Sequence, residues 1–265
     1  MSFFQHFFAG VERSEPVDIP PFLVTALLIF WIGVMVLIMT FRQQLSSRKN
    51  PMFLARIAAV ILLVDQIVLY SWQIFSGYFN IRFSLPLYHC RIAVPLLILD
   101  LVFGVKILRS IWIYWGFIGS VFSMLFLDLY RFDFPHYTNF QFFIVHLLLG
   151  WLVFYAIFAL GYKFEKKGLQ LALIVTTLFN LALILFNAAL NHSFIAHEDS
   201  LYNYGYMLFP PGLLKEIALA FPPFVFNLVM LIGYNLLILL LYSGGYALNK
   251  ISYRSKKRKT EAVKA

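Results

Sequence analysis

The stretch PFLVTALLIFWIGVMVLIMTF, residues 21–41, contains no charged side chain. A bilayer hydrocarbon core about 30 Å thick is crossed by roughly 20 apolar residues in a helix. This run therefore predicts a transmembrane helix, opened by Pro20-Pro21 in the position that suits a helix start. The same reading predicts six more spans, near 53–76, 85–104, 108–127, 138–162, 168–191 and 218–247. Pro86 sits in the first turn of the third, and Pro95 in mid-span predicts a kink. The last run is overlong, which implies tilt or an interfacial first turn.

Composition agrees. The chain is 62% hydrophobic and 12% charged, with mean hydropathy +0.81. A soluble domain of this size cannot hide so much apolar surface. The expected fold class is an all-α polytopic membrane protein with seven transmembrane helices. Residues 1–20 form an extracytoplasmic segment, 21–250 the membrane domain and 251–265 a basic cytoplasmic tail. The sequence predicts no cleaved signal peptide, because no basic region precedes the first long apolar run.

The net charge of +9 does not point to nucleic acid, because of where the charge lies. Arg13, Arg82, Arg131 and Lys215 are the only bases expected on one side. Sixteen others fall in loops and the tail on the opposite side, and Arg91 is left within a span. The positive-inside rule then places the N-terminus outside and the C-terminus in the cytoplasm, with the basic tail against anionic lipid headgroups. Membrane lipids are the expected partners. Phe3, Phe4, Phe7 and Phe8 share a helical face suited to the outer surface.

Polar residues inside spans mark candidate sites, since ionisable groups in hydrocarbon are costly and face a bundle interior or a wet cavity. Cys90, the only cysteine, falls roughly 8 Å below the outer boundary at 1.5 Å per residue, and His146 roughly 12 Å. All six histidines (His6, His89, His136, His146, His192 and His197) lie on the outer side or in the outer half. Gln73, Asn180, Asn187, Asn191 and Asn227 add polar groups at similar depth. The loop carrying Asn203 and Tyr204 reads as a cover over an outer chamber. A histidine can activate a thiol for attack on an ester, neighbouring amides could hold the oxyanion, and Arg91 suits a lipid phosphate. This chemistry requires that the thiol of the third span meet the imidazole of the fifth in one pocket, and the two spans are expected to be neighbours. His89 is a second candidate base, although it lies 100° round the helix from Cys90. Asp100 is expected to pair with Lys106 or Arg109, and Asp65, with no base in its own helix, with Arg91.

Each of these residues also has a structural reading. A lone cysteine often packs as a small hydrophobe. A span histidine or asparagine often bonds neighbouring helices, and outer aromatic residues form interfacial belts. Only two histidines lie in spans, with no His-x-x-x-His pair, so no metal site and no cofactor are expected.

The segment Leu85-Pro86-Leu87-Tyr88-His89-Cys90, the run Asn139-Phe140-Gln141-Phe142-Phe143 followed by His146, and Asn203-Tyr204-Gly205-Tyr206 with Pro210 resemble motifs of the YwaF-like bacterial integral membrane proteins. That family is similar to an animal transmembrane acyltransferase that moves fatty-acyl groups between phospholipids. The resemblance implies Cys90 as nucleophile, His146 as base, and a bacterial cytoplasmic membrane location. Many members carry histidine two residues before the cysteine, where this chain has Tyr88. Transport through the polar chamber and a non-catalytic role in cell-envelope assembly are the competing functions. Transporters usually show repeats and a midplane site, and no repeat is present.

Overall fold

The computed structural model describes residues 3–15, 17, 19–193, 201–210, 215–216 and 220–264. Among them there is no strand, and the elements in chain order are α1 (Phe3–Phe7), α2 (Pro21–Thr40), α3 (Arg42–Ser46), α4 (Met52–Phe75), α5 (His89–Leu101), α6 (Arg109–Leu125), α7 (Tyr137–Phe158), α8 (Lys166–Ser193) and α9 (Pro223–Lys264). Six helical segments are long and apolar enough to cross a bilayer: α2, α4, α6 with its leading 3-10 turn, α7, α8 and the apolar part of α9.

The predicted third span is the exception. Its helix, α5, has only 13 residues, about 20 Å of rise, and Tyr88 before it is extended. Pro86 lies in the irregular segment leading to α5 rather than in its first turn, while Pro95 lies within the helix. The predicted seventh span runs on through the basic tail as one helix of 42 residues.

Four helices form a ring in which α5 packs on α4 and α6, and α7 packs on the same two. The expectation that the third and fifth spans are neighbours is thereby corrected: α5 and α7 sit at opposite corners. The reason lies in α6, where small residues admit both partners. A Cβ on Gly116 would meet Leu149 and Val153 of α7, and one on Gly119 would meet Cys90 of α5. Ala59, Leu62, Val94, Leu97, Trp112, Leu149 and Val153 fill the core. Outside the ring, α2 lies on α7 with Trp31 and Met35 inward, and α8 joins α6 to α9. Exposed Ile29, Phe53, Ile67, Leu178 and Leu240 give the outer faces an apolar coat suited to lipid.

Asp100 accepts two bonds from Arg109, at 2.6 and 2.8 Å, and a third from the Trp112 indole at 2.8 Å. This is the pairing the sequence suggested. Asp65 does not pair with Arg91. Its helix turns it toward α7, where Gln141 at 3.0 Å and Gln66 at 3.1 Å donate to the carboxyl and Tyr137 donates to its backbone oxygen. Neutral donors thus supply the hydrogen bonds that a buried carboxyl requires.

The N-terminal segment is strapped across one end of the ring. Trp72 donates to the Phe8 and Ala9 carbonyls, and Glu12 accepts from the Tyr78 hydroxyl at 2.7 Å. Arg13 pairs with Asp133. Phe7 packs on Phe140 and Tyr137, whereas Phe3 and Phe4 are exposed.

His136 caps α7 through Nδ1, which accepts from the Thr138 N–H, and its Nε2–H donates to the Ala9 carbonyl. Burial holds this imidazole down, to about 4 from 6.5. The unfolded chain therefore takes up a proton first as pH falls through 6.5, and stability declines between pH 6.5 and 4. Melting curves at pH 7 and pH 5 should show this loss, and His136→Asn, which keeps a capping side chain that does not titrate, should show less of it.

Candidate functional site

Cys90 occupies the second position of α5, so the N–H groups of its turn have no partner within the helix. The chain reaches it through an anchored segment. Arg91 donates to the Phe83 carbonyl at 2.8 Å. The Tyr204 hydroxyl accepts from the Leu85 N–H and donates to the Ile81 carbonyl. Burial pushes that hydroxyl up to about 12, so it remains a donor. Cys90 is a free cysteine and half-buried. The Cys90 Cβ and backbone rest against Gly119, with Ser123, one turn further along α6, within hydrogen-bond reach of the sulfur.

A Cβ at residue 119 would lie 2.6 Å from the Cys90 Cβ, so even alanine forces α5 and α6 apart. Gly119→Ala is expected to cost about 1–3 kcal/mol and to speed maleimide labelling of Cys90, measured by thermal unfolding and intact mass.

Arg91 is the electrostatic centre. Its guanidinium donates to the Tyr130 hydroxyl at 2.7 Å and stands 5.1 Å from the centre of the Tyr88 ring. The ion pairs among the described residues are Arg13–Glu15, Arg13–Asp133 and Arg109–Asp100. Arg91 thus has no carboxylate partner among them. Gln73, fully buried, also donates to the Tyr130 hydroxyl. The Gln73 Oε1 and the Tyr70 hydroxyl are buried without hydrogen-bond partners. The charge of Arg91 reaches Tyr70, Cys90 and His146 alike.

His146 lies in the third turn of α7, 8% exposed. Its Nδ1 is 2.7 Å from the Phe142 carbonyl. A carbonyl only accepts, so Nδ1 carries the proton and Nε2 the lone pair. The helix's own backbone thereby sets the tautomer that a general base needs.

The other candidates are placed as follows. His89 is turned to α8 and α9, where Asn180 meets its Nε2 at 2.8 Å and Tyr234 stacks on its ring at 3.9 Å. Asn187 exchanges two bonds with the backbone of Tyr204, and Asn191 two with that of Tyr202. Asn203 ties its own turn together through Leu208 and Phe209. The Asn227 Oδ1 is buried and unpartnered, and Asp65 belongs to the α4–α7 contact. His192 and His197 are not among the described side chains.

The loop crosses close to the thiol. Gly205 and Tyr206 both take positive φ, 65° and 56°, a turn that glycine makes freely and tyrosine rarely. The turn sets Tyr206 against Tyr88 at 5.0 Å between ring centres, with its hydroxyl donating to Asp128 at 2.6 Å. Tyr130, Ser123, Gly119 and Tyr206 were not legible as site residues in the sequence. Tyr206 read only as part of the covering loop and its motif, Tyr130 was not singled out, and the two α6 residues become significant only once helix rotation is known.

The fold defines a multi-pass α-helical membrane protein whose single cysteine is followed in the chain by an arginine with no carboxylate partner among the described residues. The chain matches the TMEM164 family over residues 15–243, and it belongs to that family. No curated protein and no solved structure gives a significant match.

Proposed function

We propose that the protein is a lipid acyltransferase or acyl-ester hydrolase, with Cys90 as nucleophile and His146 as base. The observation that carries this reading is Arg91, a cation with no carboxylate partner among the described residues and next in sequence to the only cysteine, in a setting where an unpaired charge is costly. A phospholipid phosphate supplies the missing anion, and its ester then lies near the sulfur.

In the reaction, His146 Nε2, reaching across the ring from the corner opposite α5, takes the Cys90 proton and the thiolate attacks the ester carbonyl. The first-turn N–H groups of α5, with the guanidinium beyond them, face the developing oxyanion. The C–O bond breaks, the leaving alkoxide takes the proton from His146, and an acyl thioester remains. A lysolipid hydroxyl or water, deprotonated by His146, then attacks the thioester, and the C–S bond breaks to release the thiolate, which takes the proton back from His146. Asn187, Asn191, Asn203 and Tyr204 serve the site by holding the loop and the approach to α5, and Gln73 by orienting Tyr130.

The same proposal places the chamber in the outer half of a bacterial cytoplasmic membrane, with the N-terminus outside and the extended segment before α5 completing a seventh crossing. The YwaF-like kinship rests on the three short motifs. Transport would need a polar path, and below the first turn of α5 the ring is filled by buried Leu97, Trp112, Leu149 and Val153. The test uses purified protein in vesicles containing a phospholipid with one isotope-labelled acyl chain and an unlabelled lysophospholipid. Labelled chains should appear in new diacyl species or as free acid. A persistently unchanged lipid profile would remove the enzymatic reading.

A further inference from the structure

A second chamber lies toward the opposite, basic end of the bundle. Its floor is Ile113 and Tyr114 of α6 and Val153 of α7, at most 2% exposed, and its rims are Met39 of α2 and Leu240 and Leu248 of α9, at 37%, 68% and 49%. The cavity is about 370 Å³, within the range of about 300–1,000 Å³ that holds small ligands. Its lining is almost wholly apolar. It is held open by glycine. Gly245 packs so tightly on Phe164 that any Cβ would collide, whereas a Cβ on Gly244 would meet nothing within 4 Å. One glycine brings α9 in and the next leaves the space.

Two cations adjoin its lining. Arg42 begins the helix after α2, and its guanidinium reaches back to the Met39 carbonyl at 3.2 Å. Lys163 directly precedes Phe164, itself part of the lining. Both are exposed, and neither pairs with a carboxylate among the described residues. An apolar slot open to the bilayer, with two free bases at its polar end, matches one chemistry: an acyl chain joined to a negatively charged headgroup.

We propose that this cavity is a binding site for a single anionic glycerophospholipid, one chain lying over Gly244 and the phosphate between Arg42 and Lys163. The site is separate from the Cys90 chamber, and it stands whether or not Cys90 is reactive.

The experiment is native mass spectrometry of the purified full chain in neutral detergent, titrated with phosphatidylglycerol or phosphatidylcholine. Wild type should retain one phosphatidylglycerol at least about tenfold more tightly than phosphatidylcholine, at about fivefold per base. Gly244→Phe should lower retention of both lipids about tenfold or more. The double substitution Arg42→Gln with Lys163→Gln lies on exposed side chains and leaves the packing alone, and it should erase the preference without weakening phosphatidylcholine. Equal retention of the two lipids by wild type, or a preference that survives the double substitution, would overturn the proposal. So would full retention in a folded Gly244→Phe variant.

Discussion

Cys90→Ala is expected to lower acyl transfer or release by about a thousandfold or more, because covalent catalysis has no substitute nucleophile once the sulfur is gone. The chain holds no other cysteine. Cys90 is half-buried at the edge of the core, its Cβ lies against Gly119, and Ser123 is within hydrogen-bond reach of its sulfur. Losing one sulfur there should cost no more than about 1 kcal/mol, so fold and activity separate cleanly. Intact mass on wild type should show an acyl adduct on Cys90 during turnover, and His146→Ala should slow its formation. A Cys90→Ala variant that turns lipid over at the wild-type rate would end the case for thiol chemistry. An equal loss of melting temperature and activity would mean that the cysteine only packs.

Asp100→Ala should give the largest loss of stability of any single substitution considered, about 3–5 kcal/mol, because it strands a partner in a poorly hydrated place. The Asp100 side chain is completely buried and Arg109 only 17% exposed, and the carboxylate also holds the Trp112 indole. An ordinary interhelical hydrogen bond in a membrane averages only about 0.6 kcal/mol, so the charge decides the size. The double substitution Asp100→Leu with Arg109→Leu should recover much of the loss, since replacing a buried pair by apolar groups is often neutral. Unfolding in mixed micelles across this double-mutant cycle checks both statements. A single substitution that costs under about 1 kcal/mol would show that Arg109 reaches water instead.

What the sequence showed and what it hid follow one physical line. Run length and charge placement need no knowledge of neighbours, so residues 21–41 and the clustering of bases were readable. Asp100 and Arg109 are nine residues apart across one short turn, so their pairing was readable too. Contacts that depend on how each helix is rotated were not. Asp65 was assigned to Arg91 because that is the only base expected within a span, and the rotation of α4 sends it to Gln141 instead. The supposed contact of the third and fifth spans failed for a related reason, because Gly116 and Gly119 let α6 come between them. The third span was drawn as a full helix because apolar residues surround Pro86, yet helix begins only at His89. Cys90 is therefore in the first turn of α5 rather than well inside a span, a position that periodicity could not reveal.

The Tyr204 hydroxyl joins parts of the chain more than 100 residues apart. Asn187 grips its backbone while its phenol grips the segment that delivers Cys90. Helix α8, the loop that carries Tyr204 and the first turn of α5 are thus linked in series, like beads on a taut cord. A soluble ligand or antibody fragment that lifts the loop away from α8 would draw the first turn of α5 with it, so a grip on the surface of the protein becomes a grip on its single sulfur.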